Sequence, residues 1–221
     1  MNYKGAIFDL DGVICQTEEL HYLAWKALAD RLNIYFDHEI NARLRGRSRM
    51  ACLEIILERA NAEYTSLEKE AFAAEKNAIF ADSLRKVGVK DVSDDVRETL
   101  KSLKERGVAF AVASSSKNAP EILERIGLED AFDAIADGHD LISADDDPSA
   151  VLQAEERMEE LFLKAAEKLG LTPGECLVVD DAVPGIDAGL SGGFLTAGVG
   201  TAASYEKTGY KLTKPSDLLS I

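Results

Sequence analysis

The sequence predicts an α/β protein, a doubly wound parallel sheet with a helical cap domain inserted after its first strand, on three observations. Short, wholly apolar runs recur at Gly5-Ala6-Ile7-Phe8, Val108 to Ala113 and Cys176 to Val179, each stopping abruptly at a polar cluster, and Phe194 to Val199 forms a last clear strand. Runs of that kind are strands buried on both faces. Segments of helical period separate them, Leu100 to Arg106 and Met158 to Leu169 among them, which implies parallel strands covered by helices on both sides. A helical stretch from about Glu18 to about Lys86 follows the first run. The expected organisation is a Rossmann-like core, residues 1–15 and 88–221, with residues 16–87 as the cap.

Taken in chain order, the first strand delivers Asp9-Leu10-Asp11-Gly12 at its carboxyl end. In the insert, Leu20, Leu23, Ala24, Ala27 and Leu28 recur at three-and-four spacing, as do Ala51, Ile55, Ile56 and Ala60, then Ala71, Ala74, Ala78 and Ala81. Each set reads as the apolar face of an amphipathic helix. The Val108 to Ala113 strand ends in Ser114-Ser115-Ser116-Lys117-Asn118, and Pro120 opens a helix that runs to about Ile126. Cys176 to Val179 ends in Asp180-Asp181.

With 221 residues, 46% of them apolar, the chain has enough material for one compact body, or a body and a lid. Its 25 Lys and Arg against 40 Asp and Glu leave a formal charge of −15. That balance argues against nucleic acid and against an anionic membrane surface as partners. A phosphorylated substrate would have to be met by a local pocket of donors and cations. Cys15, Cys52 and Cys176 show neither a disulfide framework nor zinc spacing. The N-terminal apolar stretch is broken by Asp9 and Asp11 before it reaches signal-peptide or membrane length. A cytoplasmic monomer is expected.

Three strands thus end in polar clusters, Asp9/Asp11, Ser114 to Asn118, and Asp180/Asp181, and an open parallel sheet binds its ligands outside those carboxyl ends. Four converging carboxylates require a cation to stay ionised. Hard oxygen donors of this kind point to Mg²⁺. One Asp-x-Asp-Gly by itself is more often an Asx turn, and serines before a helix are often only caps. Three clusters in register with three strand ends reverse that balance.

With these residues in view, the chain resembles the haloacid dehalogenase superfamily and, within it, the beta-phosphoglucomutase family. Phe8-Asp9-Leu10-Asp11-Gly12-Val13 matches the first superfamily motif, Ser114 the second, and Asp180-Asp181 the acidic pair of the fourth. The narrower likeness lies in the insert: Thr17, His21, Ala24 to Ala29 around Trp25, Leu44-Arg45-Gly46-Arg47-Ser48-Arg49, and Glu75-Lys76-Asn77. The resemblance implies a phosphoryl transfer on a small sugar phosphate, with Asp9 as nucleophile and Asp11 as general acid and base. It implies Mg²⁺ held by Asp9, the Asp11 carbonyl, Asp180 and Asp181. Ser114 and Lys117 would face the transferring group, and Arg49, Ser116 and Asn118, with Ser115 beside them, would hold the distal phosphate. Thr17, His21, Trp25, Gly46 and Lys76 would complete the substrate side.

The sequence departs from that family in one place that matters. The family's third motif is a lysine that neutralises the nucleophile and phosphoryl group. Here the matching stretch reads Ile142-Ser143-Ala144-Asp145-Asp146-Asp147-Pro148, and Glu129 to Glu160 holds twelve acidic residues against a single basic one, Arg157. The stripe Met158, Leu161, Phe162, Ala165, Ala166 and Leu169 puts Lys164 on the solvent side and Lys168 and Arg157 on the flanks, so none is expected at the site. Val87 to Val96 also lacks the Pro-Gly turn that joins cap to core in the family. Three readings follow: a mutase converting beta-glucose 1-phosphate to glucose 6-phosphate, a small sugar-phosphate phosphatase, or a family member impaired by the missing lysine.

Overall fold

A run that carries no charge until its last position forms the first strand, β1 (Gly5–Asp9). The computed structural model describes residues 2–141 and 154–221 and sets this strand at the centre of a six-stranded sheet. On one side lie β2 (Ala109–Ala113) and β3 (Ala134–Ala136). On the other lie β4 (Cys176–Asp180), β5 (Leu195–Gly198) and β6 (Tyr210–Lys211). The order is β3-β2-β1-β4-β5-β6 and every pairing is parallel. This is the doubly wound architecture expected from the sequence.

Alternate side chains of the buried strands feed two cores. Ala6, Phe8, Phe110, Val112, Leu177 and Val179 point to one face, and Ile7, Ala111, Ala113, Cys176 and Val178 to the other. The first face is covered by α5 (Asp94–Glu105) and α6 (Ala119–Arg125) through Leu100, Leu103, Ile122 and Leu123. The second is covered by α7 (Ala154–Leu169) and α8 (Val183–Ser191) through Leu161, Phe162, Ala165 and Ala188. Register aligns Asp9 with Ala113, the residue before Ser114, and Phe8 with Val179, the residue before Asp180. The three polar clusters therefore end level with one another. Since the chain visits β2 and β3 before returning to β4 beside β1, the sheet reverses its winding there and leaves a crevice above Asp9 and Asp180.

Between β1 and β2 run α1 (Glu18–Arg31), α2 (His38–Ala42), α3 (Arg49–Leu57) and α4 (Ser66–Ser83), with a hydrophobic cluster of their own built on Trp25, Leu28, Phe36, Leu53 and Ile56. Local chemistry fixes their starts. Asp37 accepts from the Ile40 amide, Ser48 from the Ala51 amide, and Thr65 and Glu68 cap each other's amides reciprocally, each cap contributing about 1 kcal/mol.

Two of the expected helix faces are corrected. In α1 the buried residues are Ala24, Trp25, Leu28 and Ala29, whereas Leu23 is 51% exposed and Ala27 is exposed. In α4 the inward face is Ala73, Lys76 and Phe80, and Ala71, Ala74 and Ala78 face solvent. Alanine favours a helix whatever its exposure and gains little by burial, so it does not orient one. Trp25 and Phe80 bury far more area and do. The return to the core uses two short 3₁₀ turns, Leu84–Lys86 and Val89–Asp91, the second closed by the Gly88 amide donating to Asp91 Oδ2 at 2.8 Å. Among the described residues no helix is long and apolar enough to cross a membrane.

Candidate active site

Because β1 and β4 are neighbours in register, Asp9, Asp180 and Asp181 are forced together, and each offers a carboxylate oxygen within 4.8 Å of the others. Burial is the main cause of the upward shift in all three acidities, to about 7 for Asp180 and about 6 for Asp181 and well above the ordinary range for Asp9. Mutual repulsion adds to it, with Asp180 and Asp11 acting on Asp9, and Glu18 on Asp181. A counter-charge for this cluster comes from the insert: Arg45 Nη2 binds Glu18 Oε1 at 2.6 Å and Arg45 Nη1 lies 3.5 Å from Asp181 Oδ2. Three oxygen donors that destabilise one another's charge make a fitting seat for a hard divalent cation.

The carboxylate of Asp180 is seated by its surroundings. Its Oδ1 accepts from the Ala182 amide at 2.8 Å, and Gly185 of α8 closes against it so tightly that a Cβ there would stand 1.9 Å from Asp180 Oδ2. Only a residue without a side chain allows this approach. Gly185→Ala is expected to push Asp180 out of the cluster and weaken divalent-ion binding about tenfold or more. Titration of Mg²⁺ followed by calorimetry on the wild type and the variant checks this; equal affinities would mean Asp180 is not a ligand.

Asp11 stands beside the cluster, its acidity pushed up to about 7 by burial first and by Glu18 and Asp181 next. Its partner is His21 of α1, whose Nε2 lies 4.0 Å from Asp11 Oδ2. His21 Nδ1 is 2.9 Å from Nζ of Lys76. While Lys76 is an ammonium it only donates, which leaves the ring proton on Nε2, facing Asp11. Burial, with the charges of Lys76 and Arg49, holds the imidazole neutral, its acidity constant well below the usual histidine value. Lys76 is itself 3% exposed, packed over Trp25 and Phe80 at 4.8 and 4.9 Å from the ring centroids, and lowered to about 7 chiefly by burial. Asp11 Oδ1 and His21 Nε2 are buried with no hydrogen-bond partner in the protein, the condition of groups turned toward a reactant.

The loop after β2 forms a third wall. Ser114 Oγ accepts from the Ser116 amide and Ser116 Oγ from the Asn118 amide, both at 3.2 Å. Asn118 Nδ2 reaches across to Asn77 Oδ1 of α4 at 3.1 Å, tying the loop to the insert. Of the residues singled out in the sequence, Asp9, Asp11, His21, Trp25, Gly46, Arg49, Lys76, Ser114, Ser115, Ser116, Lys117, Asn118, Asp180 and Asp181 line a single cavity. Thr17 does not. It is buried at the start of α1, its hydroxyl 3.9 Å from Cys15 Sγ.

Several lining residues went unrecognised in the sequence, and three of them bear a charge or a close approach, Glu18, Gly185 and Arg157. Glu18 sits next to Thr17 and carried no signal of its own. Gly185, a glycine inside an apolar helix just after the acidic pair, did carry one, since such a glycine marks a close approach. The third is Arg157, and here the flank expected from its helical stripe is corrected: it is 4% exposed and lines the cavity with Met158. Near the start of α7 the flank of the stripe faces the crevice rather than solvent. Lys168, by contrast, is used structurally, donating to the Ile135 carbonyl and to Asp140, and Lys164 pairs with Glu167 at the surface. The stretch Ile142 to Pro148, where the third-motif lysine is missing, lies outside the described residues.

A family model for haloacid dehalogenase-like hydrolases matches residues 3–193. The chain is 39% identical over 199 residues to a beta-phosphoglucomutase of Bacillus subtilis (strain 168), covering 89% of this chain and 83% of that protein. It is 29% identical over 195 residues to the fructose-1-phosphate phosphatase YqaB of Escherichia coli (strain K12), covering 86% and 93%. Among solved structures, a beta-phosphoglucomutase from Clostridium difficile superposes with a TM-score of 0.85 at 32% identity, over 98% of this chain and 93% of the other.

Proposed function

This chain belongs to the haloacid dehalogenase-like hydrolase family, and from that premise we propose that it is a hexose-phosphate mutase, interconverting beta-glucose 1-phosphate and glucose 6-phosphate through a phosphorylated Asp9. The observation that carries the reading is the position of Asp11, held with a raised acidity beside the nucleophile and faced by a neutral His21 that Lys76 orients. Such a group can give a proton to a departing sugar oxygen and take one from an attacking hydroxyl, as a mutase requires. A sugar-phosphate phosphatase needs the same two transfers with water as the attacking group, and the choice of mutase follows the 39% identity to a beta-phosphoglucomutase.

In this scheme a carboxylate oxygen of Asp9 attacks phosphorus, and the bond from phosphorus to the sugar oxygen breaks in line with it. Asp11 gives its proton to that departing oxygen. In the reverse sense the deprotonated Asp11 takes the proton of the attacking hydroxyl, which accepts the phosphoryl group from Asp9. Ser114 and Lys117 would face the transferring group. Asp9, Asp180, Asp181 and the Asp11 carbonyl would hold Mg²⁺, which when bound supplies charge neutralisation for the nucleophile and the phosphoryl oxygens. The insert, residues 16–87, would act as a mobile cap whose closure excludes water, with Arg45 and the Asn77–Asn118 bond as its contacts to the core. The protein would work on this small molecule as a cytoplasmic monomer.

A phosphatase reading is favoured by one specific observation, the similarity to a fructose-1-phosphate phosphatase. One experiment separates them. Supplied with beta-glucose 1-phosphate, a trace of glucose 1,6-bisphosphate and Mg²⁺, the protein is expected to form glucose 6-phosphate much faster than inorganic phosphate. Phosphate release without isomer formation would establish the phosphatase instead, and neither product would point to the impaired variant.

A further inference from the structure

We propose that Gly138, in the turn that follows β3, is a positioning residue for the loop Ser114 to Asn118, and that Lys168 of α7 holds this turn in place for it. This rests on the phosphoryl-transfer reading above, in which Ser114 and Lys117 face the transferring group.

A loop that must hold a side chain in place over a reacting group needs support from outside itself. The two serine bonds, from the Ser116 amide to Ser114 Oγ and from the Asn118 amide to Ser116 Oγ, run within the loop and shape it without placing it. Its first residue is placed by β3, since the Ser114 amide donates to the Ala136 carbonyl at 2.9 Å. Two residues beyond Ala136, Gly138 is buried against the loop. A Cβ on Gly138 would stand 2.7 Å from the Ser115 carbonyl oxygen, 2.9 Å from Lys117 Cγ and 3.1 Å from the Lys117 amide nitrogen. Two of those three atoms are backbone, so no side-chain rotation relieves the contact. The φ of Gly138 is not in the left-handed region, and close approach is what calls for glycine here.

Of the two surfaces in contact, the turn is the one fixed to the core. Asp140 Oδ2 accepts from the Asp137 amide at 2.9 Å, and the Asp140 amide donates to the Asp137 carbonyl at 2.9 Å. Asp137 is buried, and its Oδ1 accepts from the His139 amide at 2.8 Å with the ring Nδ1 of His139 3.0 Å away. The turn is thus closed around Gly138 from both sides. Lys168 anchors it, Nζ donating to the Ile135 carbonyl at 2.6 Å and to the Asp140 carboxylate at 2.7 Å. These are charge-assisted bonds, made from a helix packed on the sheet through Leu161, Phe162 and Ala165. A methyl group added at Gly138 therefore moves the loop rather than the turn, and carries Lys117 with it. A displacement of about 1 Å at a group that meets the reacting atoms costs about 10²-fold in rate.

The test compares Gly138→Ala, Lys168→Met and Lys168→Arg with the wild type, on the full chain with Mg²⁺. Gly138→Ala is expected to lower kcat about 10- to 100-fold, with KM changed less than about threefold. The loss should be the same on para-nitrophenyl phosphate as on beta-glucose 1-phosphate with a trace of glucose 1,6-bisphosphate, since both present the same transferring group. Lys168→Met is expected to lower kcat about 3- to 10-fold, and Lys168→Arg, which keeps a cationic donor, to stay within about twofold of wild type. Without substrate, the backbone amide resonances of Ser115 to Asn118 should shift in Gly138→Ala and, less far, in Lys168→Met. Gly174→Ala, where an added Cβ meets nothing within 4 Å, controls for the change from glycine to alanine. Wild-type kcat in Gly138→Ala would overturn the proposal. So would a raised KM with kcat unchanged, which would make the contact one of binding, or loop resonances that do not move. If the wild type turns over no phosphate ester, the functional reading falls, while the loop resonances still decide whether the turn places the loop. Should Gly138→Ala show no cooperative thermal unfolding, the Lys168 pair carries the test, and kcat and loop resonances of Lys168→Met equal to wild type would then overturn it.

Discussion

Asp9→Asn should abolish phosphoryl transfer, lowering kcat by about 10⁴-fold or more, while leaving the sheet intact. The amide cannot act as a nucleophile toward phosphorus, and no second carboxylate replaces it: Asp180 is held by the Ala182 amide and by Gly185, and Asp181 is engaged by Arg45. The substitution also removes one of the charges that Asp180 and Asp181 resist. The metal-free variant should accordingly unfold at a higher temperature than the metal-free wild type, because less like charge is buried at the carboxyl edge of the sheet. Turnover of beta-glucose 1-phosphate at saturating Mg²⁺, with thermal unfolding in chelator, measures both effects. Activity within tenfold of wild type would remove Asp9 from its assigned role. A fall in both activity and thermal stability would trace the loss to the fold.

Asp11→Ala should be nearly as damaging, but selectively. With a sugar oxygen as leaving group the loss is expected to be about 10²- to 10⁴-fold, because that oxygen is too basic to depart unprotonated. With para-nitrophenyl phosphate the leaving group needs no proton and the loss should be about tenfold or less. The pH dependence has a definite sign. Burial, with Glu18 and Asp181 opposite, lifts Asp11 to about 7, so below that pH it holds the proton it must donate and above it loses it. In wild type, kcat/KM for a bisphosphate should therefore fall as pH rises through an alkaline limb that Asp11→Ala lacks. A limb of the same position and depth in both proteins would assign the ionisation elsewhere.

How much of this was legible from residues alone follows from which signals are local. The strands were, because an apolar run closed by charge has few other uses, and from three such runs followed the meeting of Asp9, Ser114 and Asp180. The face of a helix was less so where alanine carried the periodicity, since Ala71, Ala74 and Ala78 satisfy a helix on either side. Lys76 stands out in the sequence only by resemblance, because what buries it, its packing over Trp25 and Phe80, is tertiary. Arg157 was misplaced for a related reason. A stripe fixes which side of α7 meets the sheet, but not what stands above the sheet at the helix's first turn. Yet the sequence held a hint, a lone cation among twelve acids from Glu129 to Glu160, which is a poor solvated face and a better candidate for a fixed partner.

The strand order has a consequence for how the chain is made. β1 is the first strand to leave the ribosome, yet its two neighbours are β2 and β4, which begin at residues 109 and 176. Until they emerge, this apolar segment of the nascent chain has nothing to pair with. The helices that follow it need no such wait, because their own hydrophobic cluster draws on residues 22 to 73. During translation the insert can therefore fold first while β1 is still exposed, and the slow, long-range closure of the sheet comes last.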